Sequence, residues 1–106
     1  FSQEKSDEYN YKIYRADSLS QAGNYESALS VLHEAEKSEG KALGLVLQKA
    51  FIYGAKENKD SVIYNLTEAV EKFEFDYYEL VNWVVDFRFL EEDPDFIALS
   101  ISACFA

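Results

Sequence analysis

The feature that most constrains this chain is an internal repeat. A shift of 34 residues places Ala16 on Ala50, Leu19 on Tyr53, Asn24 on Asn58, Ala28 on Val62, Leu29 on Ile63, Leu32 on Leu66 and Ala35 on Ala69. Each pair keeps its character. A period in this range marks stacked helical units that cannot bury their apolar faces alone. In the first unit Ala16 and Leu19 lie three apart and share a helix face. Gly23 suits the end of that helix, because glycine accepts a positive φ without a Cβ clash. Asn24 suits the N-cap of the next helix. Ala28, Leu32 and Ala35 then recur at i, i+4 and i+7 and make one apolar stripe. Ala28 and Ala35 are small enough to let two backbones approach closely. The unit is therefore a helix pair folded across a Gly23-Asn24 turn.

Extended along the chain, this pattern predicts helices over residues 8–22, 25–37, 41–56, 60–73, 77–90 and 94–103. The fold class is all-α, about six helices stacked as antiparallel hairpins in a single domain spanning 1–106. Repeat 1 covers 8–38, repeat 2 covers 41–73, and a degenerate closing helix pair covers 77–103. Residues 1–7 read as a frayed polar lead-in, with Ser6 or Asp7 capping the first helix. The third helix is apolar on most sides, so it should be buried by neighbours on several faces. The fifth carries Leu80, Trp83, Val84 and Phe87 on one face. Asp93 is placed to cap the last helix, with Pro94 at its first position, where a missing N–H costs nothing. Ile97, Ile101, Cys104 and Phe105 are apolar. Either they pack back on the fifth helix or the natural chain continues.

Composition narrows the functional classes. The 106 residues are enough for a real core. The net charge of −10 disfavours nucleic acid, whose affinity comes from Lys and Arg neutralising phosphates, and anionic lipid alike. The same charge serves as a solubilising surface or steers a basic partner. No run of apolar residues is long enough for direct membrane insertion. Cys104 is the single cysteine, so no internal disulfide forms, and its apolar surroundings predict a packed thiol. The chain begins Phe1-Ser2-Gln3 without Met. A polar onset after Phe looks like the mature end left by a bacterial export signal, so a periplasmic or cell-surface location stands beside a cytoplasmic one.

No catalytic, cofactor or metal site is expected, and the chain does not read as an enzyme. His33, in His33-Glu34-Ala35-Glu36, lacks the second histidine a zinc helix needs. The acidic run Glu91, Glu92, Asp93 and Asp95 lacks the ligand spacing of a calcium loop, and Pro94 interrupts it. It reads as a solvated turn with a helix cap. Asn65-Leu66-Thr67 is a glycosylation sequon placed inside a helix.

Ala16, Leu19, Gly23, Tyr25, Ala28, Leu32 and Ala35, with Ala50, Tyr53, Leu66 and Ala69 in the second unit, resemble the tetratricopeptide repeat (TPR) family. The resemblance covers residues 9–73. Departures are Lys12 and Arg15 where large apolar residues are usual, Glu57, Lys59 and Val62 in the second unit, and Gly40 in place of a helix-ending proline. The segment Asp93 to Leu99 looks like the closing unit of bacterial repeat arrays. The resemblance implies an α-solenoid whose first helices line a concave face. In this chain that face takes Ile13, Asp17, Leu47, Phe51, Tyr78, Val85, Arg88 and Phe89. The family grips C-terminal carboxylates with Lys, Arg and Asn. Ile13, Asp17, Leu47 and Phe51 stand there instead, so acidic tails are not expected to bind. The implied function is a scaffold-type, non-catalytic interaction module. It would bind a helical or extended apolar segment of a protein partner with basic flanks. Two alternatives stay open. Leu47 and Phe51 could be covered by the protein's own N-terminus or last helix. The chain could also be a structural or self-association segment of a larger or exported bacterial protein, which an exposed patch near Ile101 and Phe105 would favour.

Overall fold

A computed structural model describes residues 5–105, and among them every regular element is helical. The helices are α1 (Asp7–Gln21), α2 (Tyr25–Glu39), α3 (Leu43–Ala55), α4 (Lys59–Phe73), α5 (Tyr77–Val81), α6 (Trp83–Asp86) and α7 (Pro94–Cys104). A 3-10 turn, Arg88–Leu90, precedes the acidic loop. Four starts, those of α1, α4, α5 and α7, have a side-chain cap, which serves the first N–H groups of a helix that lack internal partners. The Ser6 hydroxyl accepts from the Tyr9 N–H at 3.1 Å and the Asn58 side chain from the Ser61 N–H at 3.3 Å. Asp76 accepts from Tyr78 at 2.7 Å and Asp93 from Phe96 at 3.0 Å. Asn24, expected to cap α2, makes no side-chain cap bond. Its turn is closed by backbone alone.

The 34-residue shift holds in the backbone. N–H groups of Ala22, Gly23, Asn24 and Ala28 donate to carbonyls of Ser18, Ser20, Leu19 and Asn24. Those of Lys56, Glu57, Asn58 and Val62 donate to Ile52, Gly54, Tyr53 and Asn58. Every donor and acceptor moves by the same 34 positions. The positive-φ residues follow it too. Gly23 at φ 86° maps onto Glu57 at 56°, and Gly40 at 85° onto Glu74 at 55°. The second pair shares only the sign of φ, since Gly40 has ψ −164° and Glu74 is left-handed at ψ 41°. Glycine adopts positive φ freely, whereas a Cβ in the left-handed region costs about 1–2 kcal/mol.

The first hairpin is α1 with α2 and the second is α3 with α4; α3 also packs on both helices of the first hairpin. Ionic and polar clasps fix which ends meet. Lys5 donates to the Glu39 carbonyl at 2.6 Å, the Ser6 N–H donates to the Glu39 carboxylate at 2.9 Å, and the Tyr9 hydroxyl donates to the Gly40 carbonyl at 3.0 Å. The start of α1 is thereby tied to the end of α2. Lys56, after α3, pairs with Glu26 at the start of α2. Lys41 reaches Glu68 in the middle of α4 at 2.7 Å. The closing segment joins through α7, which packs on α4 and α5, and Lys59 meets Asp93 at 2.7 Å. The chain occupies 37 × 36 × 18 Å, and its thin direction matches two helix layers spaced about 8–10 Å apart.

The core follows the repeat. Ala16, Ala28, Leu32 and Ala35 are fully buried, and so are their mates Ala50, Val62, Leu66 and Ala69. Leu45, Val46 and Ile52 complete the burial of α3. Leu80 and Leu90 anchor the closing segment. Asn65 is buried and its side-chain amide donates to the Ser61 carbonyl at 2.8 Å, so the sequon faces inward.

Three expectations are corrected. The single fifth helix is broken into α5, α6 and the 3-10 turn. Val81, Asn82, Val84 and Val85 are weak helix formers, and Phe87 leaves helical geometry at φ −127°, ψ 81°. Lys5 to Asp7 are not frayed, because Glu39 holds Lys5 and Ser6; residues 1–4 of that lead-in lie outside the described residues. Cys104 is exposed rather than packed, because its apolar neighbours Ile101 and Phe105 are themselves exposed.

Two predictions arise. Glu57→Gly should stabilise the fold by about 1 kcal/mol, read by urea denaturation, because the left-handed strain outweighs glycine's entropy. An unchanged or lower stability would place Glu57 outside that region. The second concerns acid. Burial alone would raise the Glu68 carboxyl, but Lys41 and Lys72 hold it below its ordinary value. The Lys59 ammonium lowers Asp93, and the Ser6 hydroxyl lowers Glu39. A carboxyl lowered in the folded state stabilises it above the unfolded pKa, about 4, and loses that contribution as pH falls through the folded value. Urea midpoints should therefore drop steeply below about pH 4, and less steeply in Asp93→Asn. Identical acid limbs would contradict the Lys59–Asp93 pairing.

Candidate functional site

The helix α3 is buried on most sides but presents Leu47 and Phe51, one turn apart, at its border with α1. Together with Asp17 and Ser20 of α1 and Gln48 of α3 they line a cleft of about 130 Å³. The cleft is positioned by the small residues of the repeat. Ala16 and Ala50 are fully buried where α1 and α3 approach. Gln48 bridges the two helices, its side-chain amide donating to the Ile13 carbonyl at 2.9 Å.

The C-terminal side of the cleft is aromatic. The Phe51 ring meets Phe87 edge-on, with centroids 5.5 Å apart and planes at 65°. Phe87 also contacts Trp83 at 5.6 Å and Phe89 at 6.1 Å. Gly54 makes room for this cluster. A Cβ at Gly54 would lie 2.7 Å from the Phe87 ring, far inside van der Waals contact. Thus Phe87 leaves the helix and fills the notch at Gly54, bracing one edge of Phe51. Phe51 nevertheless remains 42 % exposed. Neither α7 nor Lys5 to Asp7 contributes to the lining of the cleft; residues 1–4 of the N-terminus lie outside the described residues.

Polar groups face the same space. Asp17 accepts from the Gln21 side chain at 3.0 Å and is in no ion pair among the described residues. Ser20 Oγ and Gln48 Oε1 are buried with no hydrogen-bond partner among the described residues. Unpaired buried polar atoms are uncommon in native folds. Two of them border this one cleft.

Of the residues placed on the concave face by register, Asp17, Leu47 and Phe51 come together, and Ile13 adjoins them through Gln48. Phe89 joins through Phe87. Tyr78 and Val85 are exposed and do not line the cleft; Tyr78 packs edge-on against Tyr77 instead. Arg88 turns to Glu91 at 3.2 Å. The register of Val85 and Arg88 assumed a continuous fifth helix, and its breaks at Asn82 and Phe87 change where they lie; Tyr78 precedes both breaks. Sequence reading missed Ser20, Gln48, Gly54 and the bracing role of Phe87. A glycine inside an otherwise apolar helix was the available signal, since such a glycine usually admits a close neighbour. Nothing in the sequence marked Ser20 or Gln48.

The chain matches no family model, no curated protein and no solved structure.

The Gly54–Phe87 contact is testable. Gly54→Ala should cost about 1–3 kcal/mol in urea denaturation by overpacking against the ring. In a Phe87→Ala background the same change should cost much less, giving a coupling well above the error of a double-mutant cycle. Additive losses would mean the two residues do not touch.

Proposed function

We propose that this chain is a non-catalytic protein–protein interaction module, a short TPR-like array that takes an apolar helical or extended segment into the α1–α3 cleft. The observation that carries the reading is Phe51. Phe51 packs one edge on Phe87 yet stays 42 % exposed beside the half-buried Leu47, on a helix whose Leu45, Val46, Ala50 and Ile52 are fully buried, so part of its ring is open apolar surface. The polar atoms of the cleft refine the ligand. Asp17 and the net charge of −10 favour Lys or Arg flanking its apolar core. Acidic C-terminal tails gain nothing here, because Asp17 and Phe51 offer no cation to grip them. The repeat architecture is supported by the two turns, whose hydrogen bonds coincide under the 34-residue shift.

The second reading, a structural or self-association segment, is favoured by the exposed Ile97, Ile101 and Phe105 on α7. The net charge opposes it, since two copies would repel.

Selection of random displayed peptides on the wild-type chain should enrich apolar sequences flanked by Lys or Arg. Phe51→Glu should keep its far-ultraviolet circular dichroism, because the ring reaches solvent at the mouth of the cleft and a carboxylate there can stay hydrated. It should weaken the selected peptides by about tenfold or more. A folded Phe51→Glu that binds them as tightly as wild type would remove the cleft as the site.

A further inference from the structure

An apolar groove larger than the α1–α3 cleft runs along α7. Ile97 and Ile101 of α7 and Phe105, which caps it, recur four residues apart and are 44 %, 55 % and 84 % exposed. Facing them, Tyr77 and Val81 of α5 and Val84 of α6 form the other wall of a groove of about 380 Å³, whose lining also includes Glu91, a carboxylate already paired with Arg88. Only Asp95 is charged among the eleven residues of α7. At Tyr77 the groove adjoins a second hollow of about 410 Å³, where Ala103 of α7 faces Glu71, Glu74 and Asp76. Apolar surface therefore runs along α7 and ends among three carboxylates. Among the described residues none of these carboxylates is in an ion pair, and Lys72, between Glu71 and Glu74 in sequence, is paired with Glu68.

A stack of helical hairpins stays soluble when its last helix shows a polar outer face. Here the last helix keeps an apolar row open. A row spaced every four residues on one helix is a ridge, and the element that seats against such a ridge is another helix. The carboxylates choose its charge. An acidic occupant would meet three unpaired negative charges and a chain of net −10, whereas Lys or Arg at its end would neutralise them. The same charges count against a second copy, which would bring a further −10 and the same carboxylates to the junction.

We infer that this trough is the docking site for one amphipathic helix of a partner protein, apolar on the face against α7 and bearing Lys or Arg at the end that meets Glu71, Glu74 and Asp76. The site is separate from the α1–α3 cleft and stands without it. Its anchors are Ile97, Ile101 and Phe105, and its polarity is set by the carboxylates. Cys104 lies within the groove and is exposed, so it reports occupancy chemically.

The test is a displayed library of 16-residue helical peptides, with apolar residues fixed at i, i+3, i+4 and i+7 and all other positions random, selected on the wild-type chain. The expected winners are enriched in Lys or Arg at one end. They should slow alkylation of Cys104 by N-ethylmaleimide and lose about tenfold or more in affinity on Ile101→Lys. Affinity should also fall with salt, less so for the double variant Glu71→Gln, Glu74→Gln. Phe105→Ala should weaken binding too and cannot disturb the fold, since its ring is almost wholly in solvent. Phe51→Glu should leave all of this unchanged, which separates failure here from failure of the cleft. Winners without basic enrichment, or with no effect on Cys104 alkylation, would overturn the inference. A wild-type dimer in sedimentation that Ile101→Lys converts to monomer would also overturn it, by making a second copy the occupant.

Discussion

The rest of the structure depends on the burial of α3. An isolated helix of thirteen residues is marginal in water, and this one lacks charged residues apart from Lys49. What holds it is enclosure. Leu45, Val46, Ala50 and Ile52 are removed from solvent entirely, and each large apolar side chain so buried contributes about 1.5–3 kcal/mol. No single neighbour can do this. The first hairpin covers one side, α4 a second, and Phe87 closes the C-terminal end over Gly54. The small residues of the repeat are the other half of the same requirement, because Ala16, Ala28, Ala35 and Ala69 set how closely those neighbours approach.

Polar contacts surround this core and specify its assembly. Lys49 is buried beside Glu36, Lys41 reaches Glu68, and Gln48 holds the Ile13 carbonyl. Each joins elements that the apolar contacts alone could slide past one another. The candidate site lies where this enclosure stops. Leu47 and Phe51 share a helix with the most buried residues of the protein, so their surroundings are rigid while their outer edge is open. A binding surface on a braced helix costs little ordering when a partner arrives.

Much of the fold was legible because the repeat carries it. Ala16 and Ala50, or Leu32 and Leu66, are buried for the same local reason, and a fixed shift exposes that reason without a structure. Gly23 and Gly40 were legible as helix ends through their positive φ. Their mates Glu57 and Glu74 were legible as positions just past helix ends, but not as positive-φ residues, since nothing in a glutamate announces a left-handed backbone. The cleft was half legible. Register gave Asp17, Leu47 and Phe51 because α1 and α3 are regular helices. Tyr78, Val85 and Arg88 do not line the cleft; for Val85 and Arg88 the period is interrupted, and Phe87 leaves its helix to reach a notch 33 residues earlier at Gly54. The open face of α7 was visible as an apolar run, but a run cannot say which of its residues meet solvent.

Native-state hydrogen exchange measures the central claim most directly. If enclosure of α3 holds the fold together, amides from Val46 to Gly54 should be the slowest in the chain and open only with global unfolding, at the free energy found by urea denaturation. Amides of α5 and α6, in short helices outside the repeat, should exchange through smaller openings. The account is contradicted if α3 exchanges by local opening while α1, α2 or the closing segment stays protected, because the helix placed at the centre would then be the one the fold can release.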